Sequence, residues 1–293
     1  MSQSFGFVIR RGALAAGAAL VIAVLGVGAA QAAIGPYVSL GDSYTAAPLV
    51  PNPTGNPILC GRSTNNYPSD VSRVLSPTSF TDASCSSATT DDMTQSQSLE
   101  GGLQTAPPQF DALRSNDALV SVGIGGNDAG LIGVAEECAK LDIVRPFGSA
   151  CKNHYSSGGS DSNMAKITAT GPKVAAVIQG IHARAAQAEV LVVGYPDGLP
   201  TNGSSCWPLV PISAGDIKYI NSLETALNSV LKSTAAANHV KYVDTFSSSV
   251  GHDACKSPGT AWVNGIVPTS AAFPLHPNQA GEQNMANQVL ADR

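Results

Sequence analysis

The sequence predicts an α/β fold in three layers, with a parallel five-stranded sheet between two layers of helices. Two observations carry this prediction. Short apolar runs typical of buried strands alternate with segments of helical periodicity, an order that favours parallel strands covered on both faces. Small polar motifs follow the first three runs, where the carboxyl ends of parallel strands form ligand sites.

Five apolar runs and four helical patterns define the predicted elements. The predicted strands are Tyr37–Leu40, a weak one at Phe80–Ser84, Ala118–Ile124, Val190–Gly194 and Val240–Val243. The predicted helices lie around Tyr67–Leu75, Lys173–Gln187, Ala214–Ala237 and Gln279–Leu290.

Two long stretches without periodicity interrupt this pattern. Ala46–Ser63 is rich in Pro, Gly and Asn yet carries apolar residues, and Phe147–Asn163 is rich in Ser and Gly. Long loops of this kind are usually functional or disordered. Two interpretations of the first stretch stay open: it forms the wall of an apolar substrate pocket, or it is a surface loop tied down by a disulfide.

The first 32 residues have the pattern of a secretory signal peptide. Arg10 and Arg11 precede an uncharged run, and Ala30-Gln31-Ala32 fits a cleavage site between small residues. The alternative is an uncleaved membrane anchor, because the run is long enough to span a bilayer. The alanine and glycine content and the cleavage site favour removal. The arginine pair leaves the choice between the general secretory and twin-arginine routes open.

The remaining residues, 33–293, are predicted to form a single domain with no linker. The length is ample for one hydrophobic core. The net charge of the chain is −5 and only 13% of its residues are charged, which does not resemble the basic footprint of a nucleic-acid-binding protein. The prediction therefore includes no nucleic-acid partner.

Six cysteines lie in this domain, without a C-x-x-C pair or an accompanying histidine cluster. This spacing predicts no zinc or other metal site. An even cysteine count in an exported chain indicates three disulfides, for which fifteen pairings are possible. The most economical is the sequential one, Cys60–Cys85, Cys138–Cys151 and Cys206–Cys255.

Four motifs together supply the parts of a serine hydrolase. Gly41-Asp42-Ser43-Tyr44 follows the first predicted strand, where a tight turn can expose the Ser43 hydroxyl. Ser86-Ser87-Ala88-Thr89, Gly125-Gly126-Asn127-Asp128 and His276-Pro277-Asn278 come later in the chain. A serine nucleophile, hydrogen-bond donors for an oxyanion and a histidine base are the groups that acyl transfer requires.

In these motifs the chain resembles the SGNH (GDSL) hydrolase superfamily, especially its secreted actinobacterial lipases and esterases. The resemblance spans residues 33–293 and is most specific at Leu40–Thr45 and Gly123–Asp128. It implies a flavodoxin-like sheet, three disulfides and a Ser43–His276 site. It also implies an oxyanion hole formed by the Ser43 and Ser87 N–H groups and the Asn127 side-chain amide.

Two motifs depart from the family pattern. Ser87 stands where the family usually has a glycine, and positive φ is costly for serine. The usual D-x-x-H-P reads Phe273-Pro274-Leu275-His276-Pro277, so the carboxylate that orients the histidine is missing. Some actinobacterial relatives use the main-chain carbonyl three residues before the histidine, which is Phe273 here. The alternative is a carboxylate from elsewhere, Asp244 or Asp253.

The other histidines lack the context of His276, which opens the last predicted helix with Asn278 as a plausible N-cap. His154, His182, His239 and His252 are therefore interpreted as surface or packing residues. Asp42 and Asp128 are interpreted as residues that bind turn amides.

The combined prediction is a secreted, extracellular serine esterase that cleaves lipid or other acyl esters without a metal or other cofactor. A small-molecule or lipid ester is the expected substrate, with transient contact with a lipid surface, and a monomer is the expected state. One alternative is an O-deacetylase of polysaccharide, although only 5% of residues are aromatic. Another, less favoured, is a secreted binding protein on a catalytically dead hydrolase fold, because Ser43, Asn127 and His276 are all intact.

Overall fold

A parallel five-stranded sheet forms the centre of the fold, in a computed structural model that describes residues 1–4, 6 and 34–293. The strands within the described residues are β1 (Tyr37–Gly41), β2 (Phe80–Asp82), β3 (Gln97–Leu99), β4 (Gln104–Ala106), β5 (Leu119–Gly123), β6 (Glu189–Val193) and β7 (Lys241–Val243). The order in the main sheet is β2-β1-β5-β6-β7, and β3 and β4 form a separate antiparallel pair. The predicted parallel, flavodoxin-like sheet is confirmed.

Helices follow most strands. They are α1 (Ser43–Ala46), α2 (Tyr67–Leu75), α3 (Gly126–Ala129), α4 (Leu131–Val144), α5 (Ala150–Tyr155), α6 (Ser162–Arg184), α7 (Ala214–Ala237), α8 (Thr245–Ser249) and α9 (Gln279–Asp292). No helix in the described part of the chain is long and apolar enough to cross a membrane. The predicted signal peptide, residues 1–32, lies almost entirely outside the described residues.

Strand alternation divides the core between the two faces of the sheet. Tyr37 and Leu119 point to the face covered by α2 and α9, where they pack with Val71, Met285 and Val289. The alternate residues of the same strands pack on the other face with apolar residues of α4, α6 and α7. These two apolar layers account for the three-layer architecture.

Two predicted elements differ from the structure around residue 160. The stretch Phe147–Asn163 contains α5, and α6 begins at Ser162 rather than at Lys173. Asp161 caps α6 by accepting from the Asn163 and Met164 amides, and the helix continues through Pro172. The apolar face of α6 is buried on both sides of this proline, so tertiary packing outweighs the hydrogen bond that proline removes.

The cysteines are joined in the sequential pairing. Cys60–Cys85 closes a loop of 25 residues, Cys138–Cys151 one of 13 and Cys206–Cys255 one of 49. The first bridge connects the Ala46–Ser63 loop to the segment that holds Ser87. It therefore ties two of the segments that border the site.

Candidate active site

Ser43 lies at the carboxyl end of β1, as the first residue of α1. Asp42 caps this helix, and its Oδ1 accepts from the Tyr44 amide at 2.9 Å. Gly41 is required by close packing, because a Cβ there would lie 2.6 Å from the Gly123 carbonyl oxygen on β5. The close approach of β1 and β5 at Gly41 fixes the position of Ser43 at the end of the sheet.

The backbone of Gly41 is held by a side chain that sequence reasoning missed. Gln109 accepts from the Gly41 N–H at 2.8 Å and donates to the Gly41 carbonyl at 2.9 Å. Gln109 is buried, and its bond satisfies the Gly41 N–H, while the Gly41 carbonyl also accepts from the Cys85 amide at 3.0 Å. The sequence around Gln109 offers no motif that would have identified it.

Ser43 and His276 meet in the folded chain although 233 positions separate them. The Ser43 Oγ and the His276 Nε2 are 2.7 Å apart. Both side chains are buried, with 7% and 4% exposure. Burial lowers the pKa of His276 to about 4, opposed by the hydrogen bond to the Pro274 carbonyl, so the imidazole is neutral near pH 7. A neutral imidazole can accept the serine proton.

The carbonyl that binds the His276 ring belongs to Pro274, not to Phe273 as predicted. His276 Nδ1 lies 2.7 Å from the Pro274 oxygen. The Phe273 oxygen instead accepts from the His276 backbone N–H at 3.2 Å, which closes a turn. Pro274 follows in this turn and Leu275 has a φ of 61°, the pattern of a type II turn. The turn therefore occupies the Phe273 oxygen and leaves the Pro274 oxygen for the ring.

Neither alternative carboxylate contacts the His276 ring in the described part of the structure. Asp244 caps α8 and accepts from Ser247. Asp253 forms an ion pair with Lys256 at 3.0 Å and accepts from the Cys255 amide. Both carboxylates are therefore engaged in local structure, as expected for caps and turns.

Asn127 and Ser87 line the same groove as Ser43 and His276. One hydrogen of the Asn127 side-chain amide is donated to the Ala88 carbonyl at 2.9 Å, which leaves the second for another acceptor. Ser87 has a φ of 65°, the conformation that a glycine would adopt freely. Ser87 therefore adopts a left-handed backbone conformation that favours glycine, at a cost in backbone strain.

Tyr195 connects the Asp42 turn to the Asn127 turn, and sequence reasoning missed it as well. Its hydroxyl donates to Asp42 Oδ2 at 2.5 Å and accepts from the Gly126 amide at 2.7 Å. Burial raises the pKa of Asp42 to about 7, opposed by the Tyr195 and Tyr44 hydrogen bonds. Asp42 does bind turn amides as predicted, whereas Asp128 binds Thr90 and Lys173 outside its own turn.

His252 is stacked on Trp262, and its Nδ1 bonds to the Thr260 carbonyl at 2.7 Å. This is the packing role predicted for it. Among the described residues, no group of three or more His, Cys, Asp or Glu side chains is arranged to hold a metal ion.

Two cavities meet at Ser43, and Asn127 and Ile132 border both. The inner cavity has buried apolar walls that include Leu199, Ile220 and Val263. The outer groove is lined by Ser87, His276 and the Ala46–Ser63 loop, including the exposed Leu49 and Ile58. The loop is thus both the wall of an apolar pocket and a segment tied by a disulfide.

The relatives found by comparison with known proteins agree with one another in family. The sequence matches the GDSL-like lipase/acylhydrolase family over residues 39–283. Lipase 2 of Streptomyces coelicolor is 35% identical over 87% of this chain and 84% of the relative, and Lipase 1 of the same organism is 31% identical over 94% and 93%. The lipase names carried by these relatives agree with the chemistry of the Ser43–His276 pair.

Solved structures of similar proteins agree with this family assignment. Phospholipase A1 from Streptomyces albidoflavus NA297 aligns with a TM-score of 0.73 and 27% identity over 89% of this chain and all of that chain. The extracellular lipase from Streptomyces rimosus aligns with a TM-score of 0.69 and 25% identity over 88% of this chain and all of that chain. The chain therefore belongs to the GDSL-like lipase/acylhydrolase family and is a carboxylic-ester hydrolase.

Proposed function

We propose that Ser43 is the nucleophile of this hydrolase and that His276 is its general base. The observation that carries the proposal is the 2.7 Å distance between the Ser43 Oγ and His276 Nε2. A carbonyl oxygen can only accept, so the Nδ1 that faces Pro274 carries the ring proton. Nε2 then has a free lone pair directed at the Ser43 hydroxyl, which is the tautomer that base catalysis requires.

The reaction would proceed through an acyl-enzyme. Ser43 Oγ bonds to the ester carbonyl carbon while its proton moves to His276 Nε2. The tetrahedral intermediate then breaks the bond to the alkoxy oxygen, which leaves as an alcohol with the proton from Nε2. In the second half, Nε2 takes a proton from water, the hydroxide adds to the acyl carbon, and Ser43 leaves with that proton.

The oxyanion would be held by the Ser43 and Ser87 N–H groups and by the Asn127 amide. Support comes from Asn127, which keeps one N–H free after its bond to Ala88, and from the three residues bordering one groove. One such donor is typically worth 10²–10³ in rate. The hydrogen bonds from Gly126 to Tyr195 and from Tyr195 to Asp42 would hold Asn127 in register with Ser43.

We further infer that the natural substrates are lipid esters presented at a surface. The outer groove carries exposed apolar side chains, with Leu49 at 67%, Ile58 at 47% and Phe273 at 44% exposure. Exposed apolar patches mark surfaces that bind membranes or protein partners, and grooves that bind apolar ligands. Support also comes from the relatives named as lipases and as a phospholipase A1.

Export and a monomeric state remain proposals with separate support. Three disulfides are typical of proteins from oxidising compartments, and one structural relative is named an extracellular lipase. Every proposed catalytic group comes from one chain, so a second copy is not needed to complete the site. N-terminal sequencing of the exported protein would test cleavage before Ala33, and sedimentation would test the monomer.

The decisive experiment combines substitution with covalent labelling. Ser43→Ala and His276→Ala should each abolish ester hydrolysis, since the nucleophile and base act as a unit. A serine-reactive phosphonate should label Ser43 in the wild-type protein. The matched control is His252→Ala, which removes a histidine outside the site and should retain turnover. Hydrolysis by Ser43→Ala, or labelling at another serine, would refute the assignment.

A substrate panel would test the lipid proposal against the alternative of polysaccharide deacetylation. Acyl glycerols, phospholipids and acetylated xylan should be compared at equal ester concentration. We expect hydrolysis of the lipid esters and little release of acetate from xylan, because aliphatic side chains such as Leu49 and Ile58 line the groove and, among the described residues, Phe273 is its one aromatic ring besides the His276 imidazole. Preference for acetylated xylan would contradict the lipid proposal without affecting the catalytic assignment.

A further inference from the structure

The two cavities at Ser43 stand in different relations to His276. His276 lines the outer groove and not the inner cavity. The base must pass a proton to the leaving alkoxide, so the alcohol portion has to lie on the side of His276. The acyl chain extends from the other side of the ester carbonyl, and the inner cavity is the space available there. This assignment rests on the catalytic roles proposed for Ser43 and His276.

The inner cavity is small and its walls are largely apolar. Its volume is about 60 Å³, against about 770 Å³ for the outer groove. Leu131, Leu199, Ile220 and Val263 contribute aliphatic surface to it. A narrow apolar space suits one unbranched acyl chain, whereas the wider groove suits a bulky alcohol portion.

Glu224 is out of place among these apolar walls. Glu224 projects from α7 on the same helical face as Ile220, which lies one turn earlier in the helix. The Glu224 side chain is only 8% exposed. Its single hydrogen bond in the described part of the chain is a 3.3 Å contact from the Gly198 amide to Oε2. The other carboxyl in the lining, Asp42, is bonded by both Tyr44 and Tyr195. The Oε1 atom of Glu224 therefore has no hydrogen-bond partner within the described part of the chain.

We propose that Glu224 is the specificity-determining residue for the acyl chain and that it favours ester substrates with short acyl groups over those with long ones. A chain that reaches Glu224 covers its carboxyl with methylene groups that offer no hydrogen bond. Burial among apolar side chains and the nearby Asp197 raise the pKa of Glu224 well above the ordinary value for a glutamate side chain. Shorter acyl chains leave this group uncovered.

The test uses two ester series on the purified full-length mature protein, below the critical micelle concentration of each ester. In the acyl series the alcohol is fixed as p-nitrophenol and the acyl group grows from acetyl to dodecanoyl. In the alcohol series the acyl group is fixed as acetyl and the alcohol grows from ethanol to dodecanol. For the wild type, kcat/KM should peak at a short acyl group and then fall, with no matching fall in the alcohol series.

Glu224→Leu and Glu224→Met should raise the decanoyl-to-butanoyl ratio of kcat/KM about tenfold or more, and should leave the alcohol series unchanged. Glu224→Gln is the matched control, because it keeps a polar group of the same shape and should keep the wild-type ratio. A wild-type optimum at dodecanoyl, or a Glu224→Leu effect confined to the alcohol series, would overturn the proposal. If the phosphonate does not label Ser43 in the wild-type protein, the catalytic assignment itself has failed.

Discussion

The imidazole of His276 is hydrogen-bonded to the carbonyl oxygen of Pro274, only two residues earlier, at 2.7 Å. A backbone carbonyl accepts the Nδ1 proton without adding a buried charge. The orienting group is therefore built into the turn that carries the histidine, and no carboxylate has to be brought from another strand. This arrangement makes specific predictions about acidic residues, pH and the surrounding turns.

Replacing either candidate aspartate should leave turnover largely intact. Asp244→Asn and Asp253→Asn should keep kcat within about threefold of wild type, because neither carboxylate contacts His276. Substitution of a true triad aspartate by Asn costs about 10⁴ in kcat. The kinetics should be read beside a thermal melt, since Asp253→Asn loses the ion pair with Lys256. A loss of order 10⁴ in a folded variant would identify a conventional triad.

The pH profile should show an unusually acidic lower limb. The active form has neutral His276, and burial lowers its pKa to about 4, so kcat/KM should stay high as the pH falls to 5 and decline as it approaches 4. The profile should be measured with a non-ionisable ester. A lower limb near pH 6.5, the ordinary value for histidine, would contradict this.

Folding stability should follow the same group. The pKa of His276 is lower in the folded than in the unfolded chain, so the unfolded chain binds more protons between about pH 6.5 and 4. The contribution to stability is complete above pH 6.5 and is lost as the pH falls through this range. Urea melts of His276→Gln should show a weaker pH dependence than those of the wild type, and equal dependences would argue against the shift.

Tyr195→Phe should reduce kcat by about 10- to 100-fold with little change in KM. The substitution removes the hydroxyl between Gly126 and Asp42, so the Asn127 turn loses its register with Ser43. The free energy of unfolding should fall by about 1–3 kcal/mol because buried polar groups lose a partner. Tyr219→Phe is the control, since its hydroxyl bonds Asn163 and Asp161 away from the site. It should lower stability and leave kcat unchanged; equal effects on kcat would exclude a positioning role for Tyr195.

Ser87→Gly should preserve activity and raise stability by up to about 1 kcal/mol. Glycine relieves the strain of the positive φ, worth about 1–2 kcal/mol, at a smaller cost in unfolded-state entropy, while the N–H stays in place. Ser86→Gly is the contrast, because Ser86 donates to the Cys60 carbonyl at 2.9 Å and has no positive φ. It should be less stable than the wild type. Chemical denaturation of both variants would measure the difference, and a destabilised Ser87→Gly would show that the strain is absent.

Removal of the first disulfide should affect catalysis, whereas removal of the second should affect only stability. Cys85 lies two residues from Ser87, and the Ser86 amide donates to the Cys60 carbonyl. Each loss should cost roughly 3 kcal/mol by loop entropy. The Cys60→Ser/Cys85→Ser protein should also lose at least tenfold in kcat at a temperature where it is folded, unlike Cys138→Ser/Cys151→Ser. Equal kcat values in the two proteins would disprove the local role.

The sequence predicted those parts of the fold that have a local signal. The parallel sheet and the bounds of α2 and α7 follow from the alternation of apolar runs and helical patterns, whereas the flavodoxin-like strand order was expected from the family resemblance. The start of α6 could not be predicted in this way, because a proline inside a helix is tolerated only when packing on both sides of it outweighs the lost hydrogen bond. Such packing depends on residues far along the chain.

The candidate site shows the same division. Ser43 and Asn127 lie in short motifs after strands and His276 lies in a short motif before the last helix, so their meeting could be predicted. Gln109 and Tyr195 carry no motif, because each acts through a backbone or carboxyl partner about 70 or more residues away. The shift from the Phe273 to the Pro274 carbonyl depends on the positive φ of Leu275, a conformation that leucine seldom adopts.

The long separation between Ser43 and His276 makes enzyme activity a reporter of completed synthesis. The serine is made near the beginning of the chain, while the histidine immediately precedes α9, whose Glu282 accepts from the Tyr67 amide on α2 at 2.8 Å. A growing polypeptide carries Ser43 without its base until the last helix has docked. With the proposed Ser43–His276 pair, ester hydrolysis would begin only when both ends of the chain have come together.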